Sequence, residues 1–108
     1  MSVVKGKLAE DRAIKYLQQE RFIIIDRNFY TRFGEIDIVA LRDNTVHFIE
    51  VKSGIGFDPV YNLTPQKLSK ILKSIEIYLI RKNLQMDYMV DALIIRGEEI
   101  EMIENITI

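Results

Sequence analysis

Gly34-Glu35-Ile36-Asp37-Ile38-Val39-Ala40-Leu41 and, after a short polar break, Val46-His47-Phe48-Ile49-Glu50-Val51-Lys52 are two runs of mostly apolar, β-branched residues with charges set inside them. Both have the composition of strands, and Asp43-Asn44 between them supplies a hairpin turn. Charge in such a run is costly, because a carboxylate taken out of water must be paired, hydrogen-bonded or bound to a metal. Glu50 and Lys52, two residues apart, fall on one face of their strand. Val46 and Phe48 precede them on that face, so the charges continue an apolar stripe. Ile49 and Val51 make the opposite face apolar as well, the pattern of a central strand covered on both sides.

Upstream, residues 22–30 read as a further strand, and residues 2–20 as a helix with Ser2 as N-cap and Ala9, Ala13, Tyr16 and Leu17 on one side. Glu10 has helical spacing to Ala13, Ile14 and Leu17 and so borders the buried face. Downstream, residues 53–63, with Gly54, Gly56 and Pro59, read as a loop directly after the charged strand, and its glycines suit mobility or close approach of another backbone. Thr64 as N-cap and Pro65 at the first helical position open a second helix, carried by Leu68, Ile71, Leu72, Ile75, Tyr78 and Leu79 and stopped at Asn83. Residues 88–96 and 100–106 read as two last strands joined at Gly97-Glu98. The order α-β-β-β-α-β-β predicts an α/β sandwich, a central mixed five-stranded sheet flanked by helices, in one domain spanning 1–108.

There are no cysteines, which excludes disulfides, thiolate zinc sites and cysteine nucleophiles. Apolar stretches such as Phe22 to Ile25 are only four residues long and no signal-peptide pattern opens the chain, so a cytoplasmic location without membrane partners is expected. The net charge of −1 speaks against a general nucleic-acid binder, but it is unevenly spread: residues 1–82 carry +4 and residues 83–108 carry −5. A local basic surface is what this allows.

Hydrolysis of a phosphodiester requires a cation to neutralise charge on the phosphoryl oxygens, an activated water and help for the leaving oxygen. Mg²⁺ and Mn²⁺ take oxygen ligands, and Mg²⁺ usually keeps several waters. Asp37 and Glu50 are the candidate ligands, with the Val51 backbone carbonyl as a third. Lys52 would orient or deprotonate the attacking water or stabilise the developing anion, and flanking carboxylates favour the second role. Glu10 would complete the site through an intervening water. A Glu-x-Lys pair also suits a surface ion pair, worth ~0–1 kcal/mol. Lys67, Lys70 and Lys73 recur along the second helix, as either a solvated face or a phosphate-contacting edge. His47, on the side opposite Glu50, reads as a packing or surface residue, and Asp91 as a structural partner for a buried donor.

In order along the chain, Gly6 and Glu10 with Ala13, Tyr16 and Leu17, then Arg27-Asn28, then residues 34–40, Phe48-Ile49-Glu50-Val51-Lys52, Thr64-Pro65-x-Lys67 and the Asp91 strand form a recognisable pattern. It resembles the YraN family of small bacterial proteins, which looks like a branch of the restriction-endonuclease-like superfamily with its PD-(D/E)xK nuclease core. The resemblance implies nuclease roles for Asp37, Glu50 and Lys52. It sets Glu10 in the place of the first-helix acid of archaeal Holliday-junction resolvases, and makes Lys67 or Gln66 the auxiliary polar residue. Two departures stand out: Ile36 occupies the place of the motif proline, and Ser53-Gly54 follows Lys52 where a basic residue is usual.

Two functions follow as expectations. One is a Mg²⁺- or Mn²⁺-dependent endonuclease acting on DNA, including branched structures, for which a homodimer would bring two basic edges together. The other is a non-catalytic module that binds nucleic acid or a partner protein and keeps Asp37, Glu50 and Lys52 as a buried ion network.

Overall fold

The computed structural model describes residues 3–54 and 58–107. Its elements are α1 (Val3–Gln19), β1 (Ile23–Thr31), β2 (Gly34–Arg42), β3 (Thr45–Ser53), α2 (Pro65–Arg81), β4 (Tyr88–Arg96) and β5 (Glu99–Ile103). The strands form one mixed sheet in the order β1-β2-β3-β4-β5. The pair β3–β4 is parallel and the other three are antiparallel, so α2 is the crossover that parallel neighbours require. This is the predicted α/β architecture.

The two apolar faces expected of the central strand bury against different helices. On one side Ala13 and Leu17 of α1 pack with Phe22, Ile38, Ala40, Ile49 and Leu93. On the other, Ile71, Ile75 and Tyr78 of α2 pack with Ile36, Val39, Val46 and Phe48. Among the described residues no helix is long and apolar enough to cross a membrane.

Local chemistry sets the element ends. Asp43 and Asn44 both take positive φ, 54° and 60°, as a two-residue hairpin turn demands. The Thr64 hydroxyl accepts the Lys67 N–H at 3.2 Å at the start of α2. At its other end Asn83 has φ 49°, and the Leu84 N–H donates to the Leu79 carbonyl at 2.9 Å while Asn83 donates to Ile80, a Schellman closure. Thr64→Ala is expected to cost about 1 kcal/mol of stability, measured as a lower urea midpoint with unchanged slope. Ser2, the expected cap of α1, and Gly56 lie outside the described residues.

Two boundaries differ from expectation. The last strand ends at Ile103, short of 106, because Asn105 turns at φ 57° and gives its N–H to the Asp91 carboxylate at 2.9 Å. A side chain thereby takes one rung, and the Ile106 N–H then returns to the Val90 carbonyl at 2.8 Å. Within the loop after β3, residues Pro59–Asn62 form a 3₁₀ turn capped by Asp58, which Arg96 of β4 holds at 3.0 Å.

Candidate metal centre

Strand register opens the cleft. β2 and β3 pair from Arg42↔Thr45 to Ile38↔Ile49, whereas β3 keeps its parallel partner β4 as far as Ser53↔Ile95. Beyond Ile49 the edge of β3 that faces β2 has no ladder, and its backbone groups need other partners. Asp37, next to the last paired residue of β2, provides one: its Oδ2 accepts the Val51 N–H at 2.8 Å. A residue's N–H and C=O face the same neighbour in antiparallel pairing, so the Val51 carbonyl faces this fork too.

The fork is a cavity of about 480 Å³ whose walls include Glu10, Glu35, Asp37, Glu50, Val51 and Lys52. The structure therefore brings together all four sequence candidates for catalysis and the backbone group proposed beside them. Glu10 arrives from α1 and is held by β1. Asn28, in the left-handed region at φ 54°, donates from Nδ2 to Glu10 Oε1 at 2.8 Å and to Glu35 Oε1 at 3.3 Å. Arg27 adds a longer contact to Glu10, 3.7 Å, and a closer one to Asp11, 3.0 Å. Asparagine tolerates this backbone geometry better than most residues.

Glu35 had no role in the sequence reading. Carboxylate oxygens of Glu10, Glu35 and Asp37 lie within 4.8 Å of one another. The available signal was its position two residues before Asp37, which by strand alternation puts both acids on one face.

Glu50 is 7% exposed, and its Oε1 is buried without a hydrogen-bond partner. Among the described residues Lys52 forms no ion pair with Glu50 or Asp37, so the surface ion pair is not what the strand builds. Burial first, then repulsion from Glu50, push the Asp37 carboxyl up to about 9 against the Val51 N–H, which pulls it down. Burial pushes Glu50 up to about 7, although Lys52 and a hydrogen bond with Asp37 pull it down. Without a cation the two carboxyls thus retain a proton where free ones have lost it. The Tyr30 hydroxyl feels the same negative field: its hydrogen bond to Glu35, with Glu10 and Asp37 further off, holds it above its ordinary value.

Oxygen-only donors, several carboxylates and one orphaned buried oxygen make a donor set that suits a hard cation such as Mg²⁺ or Mn²⁺. Of the basic candidates, Lys67 and Lys70 line a second cavity of about 120 Å³ on the α2 side. Glu35, Glu50 and Lys52 line both cavities. Gln66 is exposed and lines neither. His47 is buried against Phe22, ring centroids 4.9 Å apart, and its Nδ1 lies 2.5 Å from Asp91 Oδ2, so it is a packing residue and Asp91 its structural partner.

Fold and site together define a class: an α/β/α-layered protein with a carboxylate-lined cleft where its central strands fork. Residues 9–95 match the model of a family described as uncharacterised protein family UPF0102, and the chain belongs to that family. It is 54% identical over 108 residues to a UPF0102 protein of Wolinella succinogenes, covering 100% of both chains. It is also 54% identical to one of Helicobacter hepaticus (96% of this chain, 94% of the relative) and 53% identical to one of a Sulfurovum species (95% and 93%).

Proposed function

We propose that this protein is a divalent-metal-dependent endonuclease of the restriction-endonuclease-like type, hydrolysing phosphodiesters of DNA, including branched structures. The observation that carries the reading is Glu50: a buried carboxylate with an unpartnered oxygen, beside Asp37, in a cavity it shares with Lys52. Asp37, Glu50 and the Val51 carbonyl would hold Mg²⁺ or Mn²⁺, with the carboxylates of Glu10 and Glu35 within 4.8 Å of that of Asp37. Such a cation supplies neutralisation of phosphoryl charge and activation of water. Asp37 fixes the fork by accepting the Val51 N–H. Asn28 restrains Glu10 and Glu35, so those acids are preset. Lys52 supplies positive charge beside the scissile group, where charge develops in the transition state. Against the alternative of a buried ion network, Lys52 forms no ion pair with either acid among the described residues.

Calorimetric titration of Mn²⁺ into the wild type and Asp37→Asn tests the site without choosing a substrate. The wild type is expected to bind and the variant to bind at least about tenfold more weakly. Equal heats from both proteins, or none from either, would remove the metal reading. In a cleavage screen over duplex, single-stranded and branched DNA, Asp37→Ala and Glu50→Ala are expected to be folded and inactive.

A further inference from the structure

We propose that the turn between β1 and β2 and the first half of α2 form a platform for an unpaired nucleotide, so that the substrate is single-stranded nucleic acid or the unpaired part of a branched one. The proposal rests on the nuclease reading and narrows its substrate class. Its starting point is Phe33, a large aromatic residue at a hairpin tip, where polar turn residues are usual. The tip is not loose. The Thr31 hydroxyl lies 2.7 Å from the hydroxyl of Ser74, a residue of α2 that is 1% exposed. Thr31 Oγ1 also accepts the Phe33 N–H at 3.1 Å and donates to the Gly34 carbonyl at 3.0 Å. Phe33 is thus pinned over α2.

Cations surround it. The Arg32 guanidinium lies 4.9 Å and the Lys73 ammonium 5.3 Å from the Phe33 ring centroid, and Lys67 and Lys70 line the same cavity as the ring. Among the described residues none of these four forms an ion pair. Their charge is available to phosphates, and a cation over this half-buried ring is held no more strongly than a base that stacks there.

Size decides what enters. The cavity of about 120 Å³ has apolar walls from Phe33, Leu63 and Ile71. A void of ~150 Å³ takes one benzene ring, so this smaller space shuts out a base pair and admits only the edge of a single base whose face lies on Phe33. A base inside a duplex cannot reach it without leaving the stack. Glu35, Glu50 and Lys52 form the wall shared with the larger cavity, which puts the phosphate of a nucleotide seated here beside the candidate metal ligands. Aromatic stacking with flanking cations is the chemistry by which unpaired strands are held without sequence readout.

Fluorescence anisotropy with labelled dT15 and a 15-base-pair blunt duplex, at ~50 mM salt with Ca²⁺ present, tests the platform in wild type, Phe33→Ala, Phe33→Trp and Asp37→Asn, each checked for folding by thermal melting. Tighter binding of dT15 than of duplex is expected. Phe33→Ala should weaken dT15 by roughly 5- to 100-fold with the duplex unchanged, and Phe33→Trp should retain binding. Phe33→Ala binding dT15 within about twofold of wild type, or losing both ligands equally, would overturn the platform. The same samples, given Mn²⁺, separate the two readings. Phe33-dependent dT15 binding with no cleavage would keep the platform and reject the nuclease. Asp37-dependent cleavage indifferent to Phe33 would do the reverse.

Discussion

Asp91→Ala is expected to destabilise the protein by about 3–5 kcal/mol, because it strands a buried partner. Asp91 is fully buried and His47 is 4% exposed. One Asp91 oxygen lies against His47 Nδ1 and the other accepts the Asn105 N–H, so alanine strands the buried His47 nitrogen and releases the exposed Asn105 from the sheet. A domain of this size is stable by roughly 5–15 kcal/mol, and the loss would lower the urea midpoint by about a fifth or more. Asp91→Asn keeps one acceptor for Asn105 and should lose less. The double variant His47→Phe/Asp91→Leu removes both members of the pair and should recover most of the loss, but the Asn105 N–H still lacks its acceptor. An Asp91→Ala loss below about 1 kcal/mol would show that the pair does not hold the end of β5 to the sheet.

The same residue marks where sequence reasoning worked and where it stopped. Asp91 stands out as an acid in an apolar strand, but its partners come from β3 and from beyond β5, 44 and 14 residues away, and no local periodicity reports such distances. The helices and strands were legible because α1 and α2 keep helical spacing, the strands are rich in β-branched residues, and Asn44, Pro65 and Asn83 punctuate them. Asp37, Glu50 and Lys52 were legible as charges in apolar runs. The cleft between them was not, because it arises from a fork in register after Ile38↔Ile49. Glu35 and Phe33 were overlooked for a related reason. Beside a turn, an acid looks ordinary and an aromatic looks out of place without a use, until the chain folds them against Glu10 and α2.

The fork also predicts an unusual response to pH. Metal-free protein should become less stable as pH rises from the ordinary carboxylate range toward about 9. Asp37 and Glu50 have pKa values raised to about 9 and about 7. Between those values and the unfolded ones near 4, the native state holds protons that the unfolded state has released. Stability therefore falls with pH through this window, by up to about 1.4 kcal/mol per pH unit for each proton held. It is fully present below the unfolded values and lost above the folded ones. Glu10, Glu35 and Lys52 share the cavity, and the lysine, with the Val51 N–H on Asp37, opposes the effect. A total of about 2–4 kcal/mol is expected once relaxation is allowed for. Asp37→Asn keeps an oxygen for the Val51 N–H and spares the native state from holding a carboxyl protonated, so at pH 8 without metal it should be more stable than wild type by about 1–3 kcal/mol. Mn²⁺ should invert the order: a ligand at 100 times its dissociation constant adds ~2.7 kcal/mol, and only the wild type keeps the full donor set. Thermal melts of both proteins from pH 5 to 9 (an assay range of roughly four units), with and without Mn²⁺, would show the crossing. Wild-type stability that rises across this range, or Asp37→Asn below wild type without metal, would mean that the acids are paired and not waiting for a cation. A crossing would mean that the chain tolerates repulsion among four carboxylates because the site they form is for metal, the pattern of a protein that gives up stability where it functions.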